Sequence, residues 1–300
     1  MRRLGANAHL LLILAVTFWA GNFLIGRAVR ADIPPVTLAF GRWAGASLIL
    51  LPFAGRAAWR HRRAFVRQLP MTLTLSFLGI TTFNTLIYLG LQTTTALNAF
   101  LLQALMPVLI VAMGVALFRE RLGARQAAGL VVSLAGAVWV IVQGRPARLA
   151  TLDLAGGDVV VLVAVVAYAA YSVLLRRRPA VPGLPFAFTT FVLGTVMLAP
   201  FWVWEQAIRP FEPNRDALLA LAYVMLFPSV LSFLAFNRGV DLIGSARAGV
   251  YLHLMPVLGS VGAVVLLGEA FRAHHGVGVL LVGTGIVLAA RAPVRAPRTP

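Results

Sequence analysis

The 300-residue chain contains no cysteine. Disulfides, thiolate metal sites and cysteine nucleophiles are therefore excluded. It also lacks lysine, all 26 basic residues being arginine, and it has only nine acidic residues. Familiar catalytic signatures are missing too. There is no P-loop, no His-Glu-x-x-His, no Gly-x-Ser-x-Gly and no cluster of His and Asp with metal-ligand spacing. No catalytic residue, metal or cofactor is expected, and the chain does not read as an enzyme.

What fills the chain instead is hydrocarbon. Hydrophobic residues make up 60% and charged residues 12%, and the mean hydropathy is +0.88. Soluble domains sit near ~45–50% apolar and ~25% charged, so lipid is the expected solvent. In a soluble protein a net charge of +17 would point to nucleic acid. Here the arginines fall in short gaps between apolar runs, which excludes that partner and points to membrane topology. Met1-Arg2-Arg3 followed by an apolar run from His9 to Val29 resembles a signal peptide. The run is too long for a signal core and no small-residue cleavage site follows, so it reads as a first span.

A helix crosses the hydrocarbon in ~20 residues. Apolar runs separated by charged or Gly/Pro breaks give ten candidate spans: 8–29, 35–54, 70–91, 95–118, 124–143, 157–175, 184–204, 216–236, 244–267 and 273–290. With the N-terminus in the cytoplasm, 18 arginines fall on the cytoplasmic side and 7 on the other, with Arg42 inside a span. This is the asymmetry the positive-inside rule expects. Nine spans would mix the two sets. Ten spans with both termini cytoplasmic is the expected topology, in a bacterial inner membrane.

The two halves match at an offset of 149 residues. Met106-Pro107-Val108-Leu109 recurs as Met255-Pro256-Val257-Leu258, Glu120 meets Glu269, Gly129 meets Gly278 and Gly136 meets Gly285. The same offset sets Ala15-Val16 on Ala164-Val165, Trp19-Ala20 on Tyr168-Ala169 and Arg27 on Arg176. Five spans per copy is an odd number, so the second copy is expected upside down. Inverted repeats of this kind recur in secondary transporters, with the substrate site between the halves. The expected fold is an all-α membrane protein with two inverted five-helix repeats, 1–149 and 150–290, and a disordered basic tail, 291–300. A duplicated scaffold without transport is the alternative.

Trp19-x-Gly21-Asn22-Phe23, Arg42, Met106-Pro107, Glu120-Arg121-Leu122, Gly129 and Gly136 together resemble the EamA repeat of the drug/metabolite transporter superfamily. The second half keeps Met255-Pro256, Glu269, Gly278 and Gly285. It departs at Tyr168-Ala169-Ala170-Tyr171, where Trp-x-Gly-Asn would stand, and at Ala270, where an Arg is usual. The resemblance is to YddG-like amino-acid and metabolite exporters. It implies a ten-helix carrier with a central cavity and peripheral fifth and tenth helices.

Polar and aromatic residues inside spans are expected to face protein or a watery cavity. Trp19 and Asn22 share one helix face, as do Tyr168 and Tyr171. Either they line a substrate site or they pack helix against helix. Asn84 lies one turn before Tyr88, which aligns with Asn237. Arg42, the deepest charge, either holds a substrate carboxylate through its planar fork or is satisfied by backbone carbonyls. Gln103 and His253 flank the Met-Pro elements. His253 is a ligand, a proton-sensitive switch or a satisfied core histidine. Pro107 and Pro256 are hinge candidates, because proline frees a carbonyl and bends a membrane helix. Arg247, aligned with Asn98, is a snorkelling cation or a gate, and His274-His275 reads as a solvated pair.

No acid falls mid-span in this reading. A carrier driven by protons or sodium usually keeps one at depth, so gradient-following movement is favoured. The repeat points to alternating-access transport, with the bilayer and a small-molecule cargo as partners, and the resemblance implies export of small organic metabolites, amino acids and aromatic ones among them. The alternatives are a carrier of drugs or nucleotide-sugars, a channel, and a membrane-embedded enzyme. Few fixed cations disfavour phosphorylated cargo. A channel would show rings of charge or filter carbonyls, and an enzyme clustered acids or histidines.

Overall fold

The computed structural model describes residues 2–94, 96–119, 122–150, 156–259 and 272–290. Among them the regular structure is entirely helical. In lipid every backbone N–H and C=O must be bonded internally, which leaves helices as the way to bury this much apolar sequence. The elements are α1 (Arg2–Ala28), α2 (Pro35–Arg60), α3 (Arg62–Arg67), α4 (Leu69–Ser76), a π-helical segment Phe77–Thr82, α5 (Phe83–Thr93), α6 (Ala96–Gln103), α7 (Met106–Phe118) and α8 (Ala124–Ile141). Then follow α9 (Gly156–Leu174), α10 (Gly183–Ile208), α11 (Arg215–Val224), a second π-helical segment Met225–Leu231, α12 (Ser232–Ile243), α13 (Ser245–Val250), a 3-10 turn Tyr251–His253, α14 (254–259) and α15 (Ala273–Ala290).

Eight helical stretches among the described residues are long and apolar enough to cross a membrane: Ala8–Ala28, Pro35–Arg60, Leu69–Thr93, Asn98–Phe118, Ala124–Ile141, Gly156–Arg177, Gly183–Ile208 and Arg215–Ile243. A shorter apolar helix covers Ala273–Ala289. The protein is a helical membrane protein. Its outer surface fits that solvent, with Leu48 70%, Phe53 72% and Leu280 71% exposed. The last part of the expected ninth span, Glu120, Arg121, Glu269, Ala270 and the tail from Arg291 lie outside the described residues.

Several helices outrun the hydropathy reading. α2 continues past residue 54 to Arg60, and α10 past 204 to Ile208. An apolar run stops at its first charge, but arginine stems snorkel and let the helix continue into the interface. Local chemistry sets the ends. Pro34-Pro35 opens α2, with proline at the first helical position. Asn214 caps α11 by accepting from the Ala217 N–H at 2.8 Å. His274 and His275, expected to be solvated, are half-buried in the first turn of α15.

Neither π-helical segment was expected. Phe77–Thr82 displaced by 149 residues falls on 226–231, inside Met225–Leu231. Pro228 lacks the N–H that a regular turn needs, which favours the wider ladder in the second segment. The first segment has no proline, but its Gly79 lies against the Tyr171 ring.

Helix pairing follows the same offset. α1 packs on α12 and α5 on α9, while α2 pairs with α10 and α8 with α15. The offset carries α1 onto α9 and α5 onto α12, so the first two contacts are equivalents. Where α8 crosses α15, a Cβ on Gly129 would strike the Gly285 carbonyl, and one on Gly285 would strike that of Gly129. Small residues that let backbones approach are the usual glue between helices in lipid. Ala15, Val16, Ala164 and Val165 are all fully buried.

Candidate functional site

Where α1, α5, α6, α7, α9 and the Tyr251–His253 turn converge there is a cavity. Its empty space, counted out to its mouth and including the open space there, is about 290 Å³. Five expected site residues line it: Trp19, Asn22, Asn84, Gln103 and Tyr168. Phe23, Phe83, Met106, Leu252 and Met255 complete the wall.

The rings form one connected cluster. Trp19 meets Tyr168 edge-on at 5.9 Å between centroids and tilts against Phe236 at 5.0 Å. Phe83 lies 4.4 Å from Tyr168. The Trp19 indole N–H donates to the Pro228 carbonyl at 2.9 Å, which fixes the ring from the second π-helical segment. Trp19 thus both lines the cavity and packs helix on helix.

Arg42 stands behind this wall, 2% exposed. Its Nη1 donates to Asn22 Oδ1 (3.1 Å), Asn84 Oδ1 (2.7 Å) and the Tyr88 hydroxyl (3.0 Å). Its Nε donates to Ser229 Oγ (2.6 Å) and its Nη2 to the Pro228 carbonyl (3.3 Å). The Tyr88 hydroxyl donates to Asn22 Oδ1 at 2.7 Å. The guanidinium also lies 4.7 Å from the Trp43 ring centre. Every partner is neutral, and no carboxylate pairs with Arg42 among the described residues. Neutral acceptors solvate a buried cation without cancelling its charge.

Two polar groups on the cavity wall have no protein partner among the described residues, the Gln103 side-chain nitrogen and the Tyr168 hydroxyl. Both residues are at least 95% buried. Buried polar groups are nearly always bonded, so an orphan at a cavity marks a place for water or ligand.

Tyr171 and Asn237 lie outside the cavity lining and bond each other, the hydroxyl and amide 3.3–3.4 Å apart. They stand 149 residues beyond Asn22 and Tyr88, so the same bonded pair recurs with its two chemistries exchanged. His253 is fully buried away from the cavity, one ring nitrogen 2.6 Å from Ser133 Oγ and the other 2.9 Å from the Ala104 carbonyl. This is a satisfied core histidine joining α6 and α8. Pro107 is the second residue of α7, just after the break at 104–105 in the fourth span. Pro256 follows the Tyr251–His253 turn. Each proline withholds the N–H that would have reached four residues back, to the carbonyl of Gln103 or of Leu252, and both of these residues line the cavity.

Two buried acids escaped the sequence reading. Glu205, in the last turn of α10, accepts from the Val36 N–H (3.0 Å), the Thr37 N–H (2.6 Å) and the Thr37 hydroxyl (2.8 Å). It is a carboxylate cap on the N-terminus of α2, supplied by another helix. Asp158, in the first turn of α9, accepts from the Thr94 hydroxyl and from the Asn98 amide at 3.1 Å. Arg27 closes the same rim by donating to the Leu91 and Thr94 carbonyls (3.1 and 2.9 Å). Neither acid is mid-span. Their only sequence signal was position, an acid at the border of an apolar run.

Two stretches, 6–142 and 155–291, match the model of the EamA-like transporter family, offset by 149 residues at both ends. The chain belongs to the EamA-like transporter family. Its EamA relatives include the uncharacterized transporter YyaM of Bacillus subtilis (strain 168), 27% identical over 97% of this chain and 96% of that one. A protein of Streptantibioticus cattleyicolor named "Probable terminal-alkyne amino-acid exporter" is 30% identical over 92% of this chain and 91% of its own length. A solved crystal structure shares the fold, with a TM-score of 0.76 at 22% identity over 95% of this chain and 98% of that one. The chain is thus a membrane transporter of the EamA type and not an enzyme.

Proposed function

We propose that this EamA protein is an alternating-access exporter of small organic metabolites, amino acids and aromatic ones among them. In this reading ten spans form two inverted five-helix repeats, 1–149 and 150–290, and both termini face the cytoplasm of a bacterial cell. Cargo enters the cavity, meets Trp19, Asn22, Asn84, Gln103 and Tyr168, and leaves when the half-bundles rock about the breaks near Pro107 and Pro256. The observation that carries the reading is the cavity itself, ring-lined and walled from both halves, with two orphaned polar groups pointing to a missing partner. The exporter name of the Streptantibioticus relative supports the cargo class. Both buried acids lie at helix ends, which favours movement down the cargo gradient.

Counterflow in proteoliposomes, screened across amino acids, nucleosides and sugars, tests it. Saturable exchange of amino acids is expected; a linear, unsaturable flux would mean a channel. Topology is checked separately. Because the chain has no cysteine, Ala150→Cys gives a single labelling site. An impermeant maleimide should reach it from the side opposite an N-terminal tag. Labelling on the same side would remove the inversion.

A further inference from the structure

Resting on the reading of this cavity as the cargo site, we infer that it recognises a carboxylate carried on an aromatic or apolar body, and that a cargo ammonium group is dispensable. The side-chain polar groups on its wall are those of Asn22, Asn84, Gln103 and Tyr168. Arginine can only donate, so the Arg42 Nη1 bonds at 3.1 and 2.7 Å hold both asparagine oxygens toward Arg42. Both asparagine NH₂ groups are then turned from Arg42 and lack a protein acceptor among the described residues. With the orphaned Gln103 nitrogen and Tyr168 hydroxyl, the wall offers a set of donors. A carboxylate is acceptor-only, with about four lone-pair sites.

Charge points the same way. None of the residues lining the cavity is acidic. Arg42 lies one hydrogen bond behind the wall with neutral partners alone, so its positive charge acts on the cavity through a water-poor medium, where interactions are strengthened. The feature occurs once. At the 149-residue offset Asn22, Arg42, Asn84 and Tyr88 become Tyr171, Phe191, Phe233 and Asn237, and Phe191 packs on Phe233 at 4.8 Å. The cation is on the α1–α5 side only, so the cargo head is set toward Asn22 and Asn84, with its body among Trp19, Phe83 and Tyr168. The competing reading is an ammonium held by carbonyl oxygens of the wall residues, of which Gln103 loses its donor four residues on to Pro107.

Three probes on one phenylethyl skeleton separate these: 3-phenylpropionate, phenylalanine and phenethylamine, with and without each charged group. Thermal stabilisation of the purified full-length protein reads binding, and counterflow reads transport. 3-Phenylpropionate is expected to act at concentrations within about threefold of phenylalanine, and phenethylamine to need at least tenfold more. Asn84→Asp keeps an acceptor for Arg42 but cancels its charge, and should cut the carboxylate preference at least tenfold in a protein that still folds. Equal or better action of the amine, or an unchanged preference in Asn84→Asp, would overturn the inference and leave transport standing. Exchange of nucleosides or sugars alone would also overturn it. Saturable exchange of no solute at all would remove the transport reading, and the inference with it.

Discussion

Tyr168→Phe removes one oxygen that has no protein partner among the described residues from a residue 3% exposed. An unpaired buried hydroxyl costs ~1–3 kcal/mol in protein mutational data, and almost nothing where a cavity water serves it. The variant should therefore be as stable as the parent or more so. At roughly 2 °C per kcal/mol for a chain of this size, the melting temperature should be unchanged or raised by up to about 6 °C. Cargo should respond in the opposite sense. A hydrogen bond to a charged acceptor contributes ~1.5–3 kcal/mol, so the half-saturating concentration should rise about 10- to 150-fold. Thermal unfolding of the purified protein and the concentration dependence of counterflow measure the two effects. The ring stays, so its contacts with Phe83 and Trp19 are kept. A lowered melting temperature with unaltered saturation would refute the reasoning, since the hydroxyl would then serve the fold and not the cargo.

Arg42→Met should abolish exchange and lower stability by ~1–3 kcal/mol, the cost of leaving a buried acceptor bare. Asn84 Oδ1 loses its partner, whereas Asn22 Oδ1 keeps Tyr88 and the Pro228 carbonyl keeps Trp19; Arg42→Lys, with one compact ammonium in place of a fork, should restore only part of this. Glu205→Gln should cost ~1.5–3 kcal/mol, the worth of hydrogen bonds to a charged group, seen as a lower melting temperature with little change in half-saturation. Gly129→Leu should destabilise by ~1–3 kcal/mol or more through overpacking, because its first added carbon meets the α15 backbone. The same change at Gly283, inside α15 with nothing within 4 Å, should leave the melting temperature unchanged or raised in the same assay, since leucine is the better helix former.

The membrane class and most span positions were legible because hydropathy reports solvent directly. The polar half of the cavity was legible for the same reason. Trp19, Asn22, Asn84, Gln103 and Tyr168 are costly in hydrocarbon, so each stands out from an apolar run. Phe83 and Leu252 were invisible, since an apolar side chain facing lipid and one facing a cavity have the same hydropathy. Arg42 was recognised as a charge needing a partner, but not its partners. Ser229 and the Pro228 carbonyl come from a π-helical segment nearly two hundred residues away, and no local pattern marks the first such segment. Glu205 falls one residue past the expected span 184–204; as the helix runs on to Ile208, the carboxylate reaches the start of α2.

Positions 149 residues apart behave in two different ways, and the difference separates structure from recognition. Where α8 crosses α15, Gly129 meets Gly285 and Gly136 lies against Gly278; both copies of each glycine serve one crossing, so neither copy can change freely. The bonded pair Asn22–Tyr88 recurs as Tyr171–Asn237, keeping the bridge between neighbouring helices while its donor and acceptor trade places. Arg42 and its partner Asn84 lose their chemistry outright, becoming Phe191 and Phe233. A buried cation costs several kcal/mol to desolvate, so two of them facing one cavity would add repulsion to that cost. One cation behind Asn22 and Asn84, with Phe23, Met106, Leu252 and Met255 elsewhere on the wall, gives the cavity both polar and apolar lining. An asymmetric molecule can then bind in one orientation within a nearly symmetric frame.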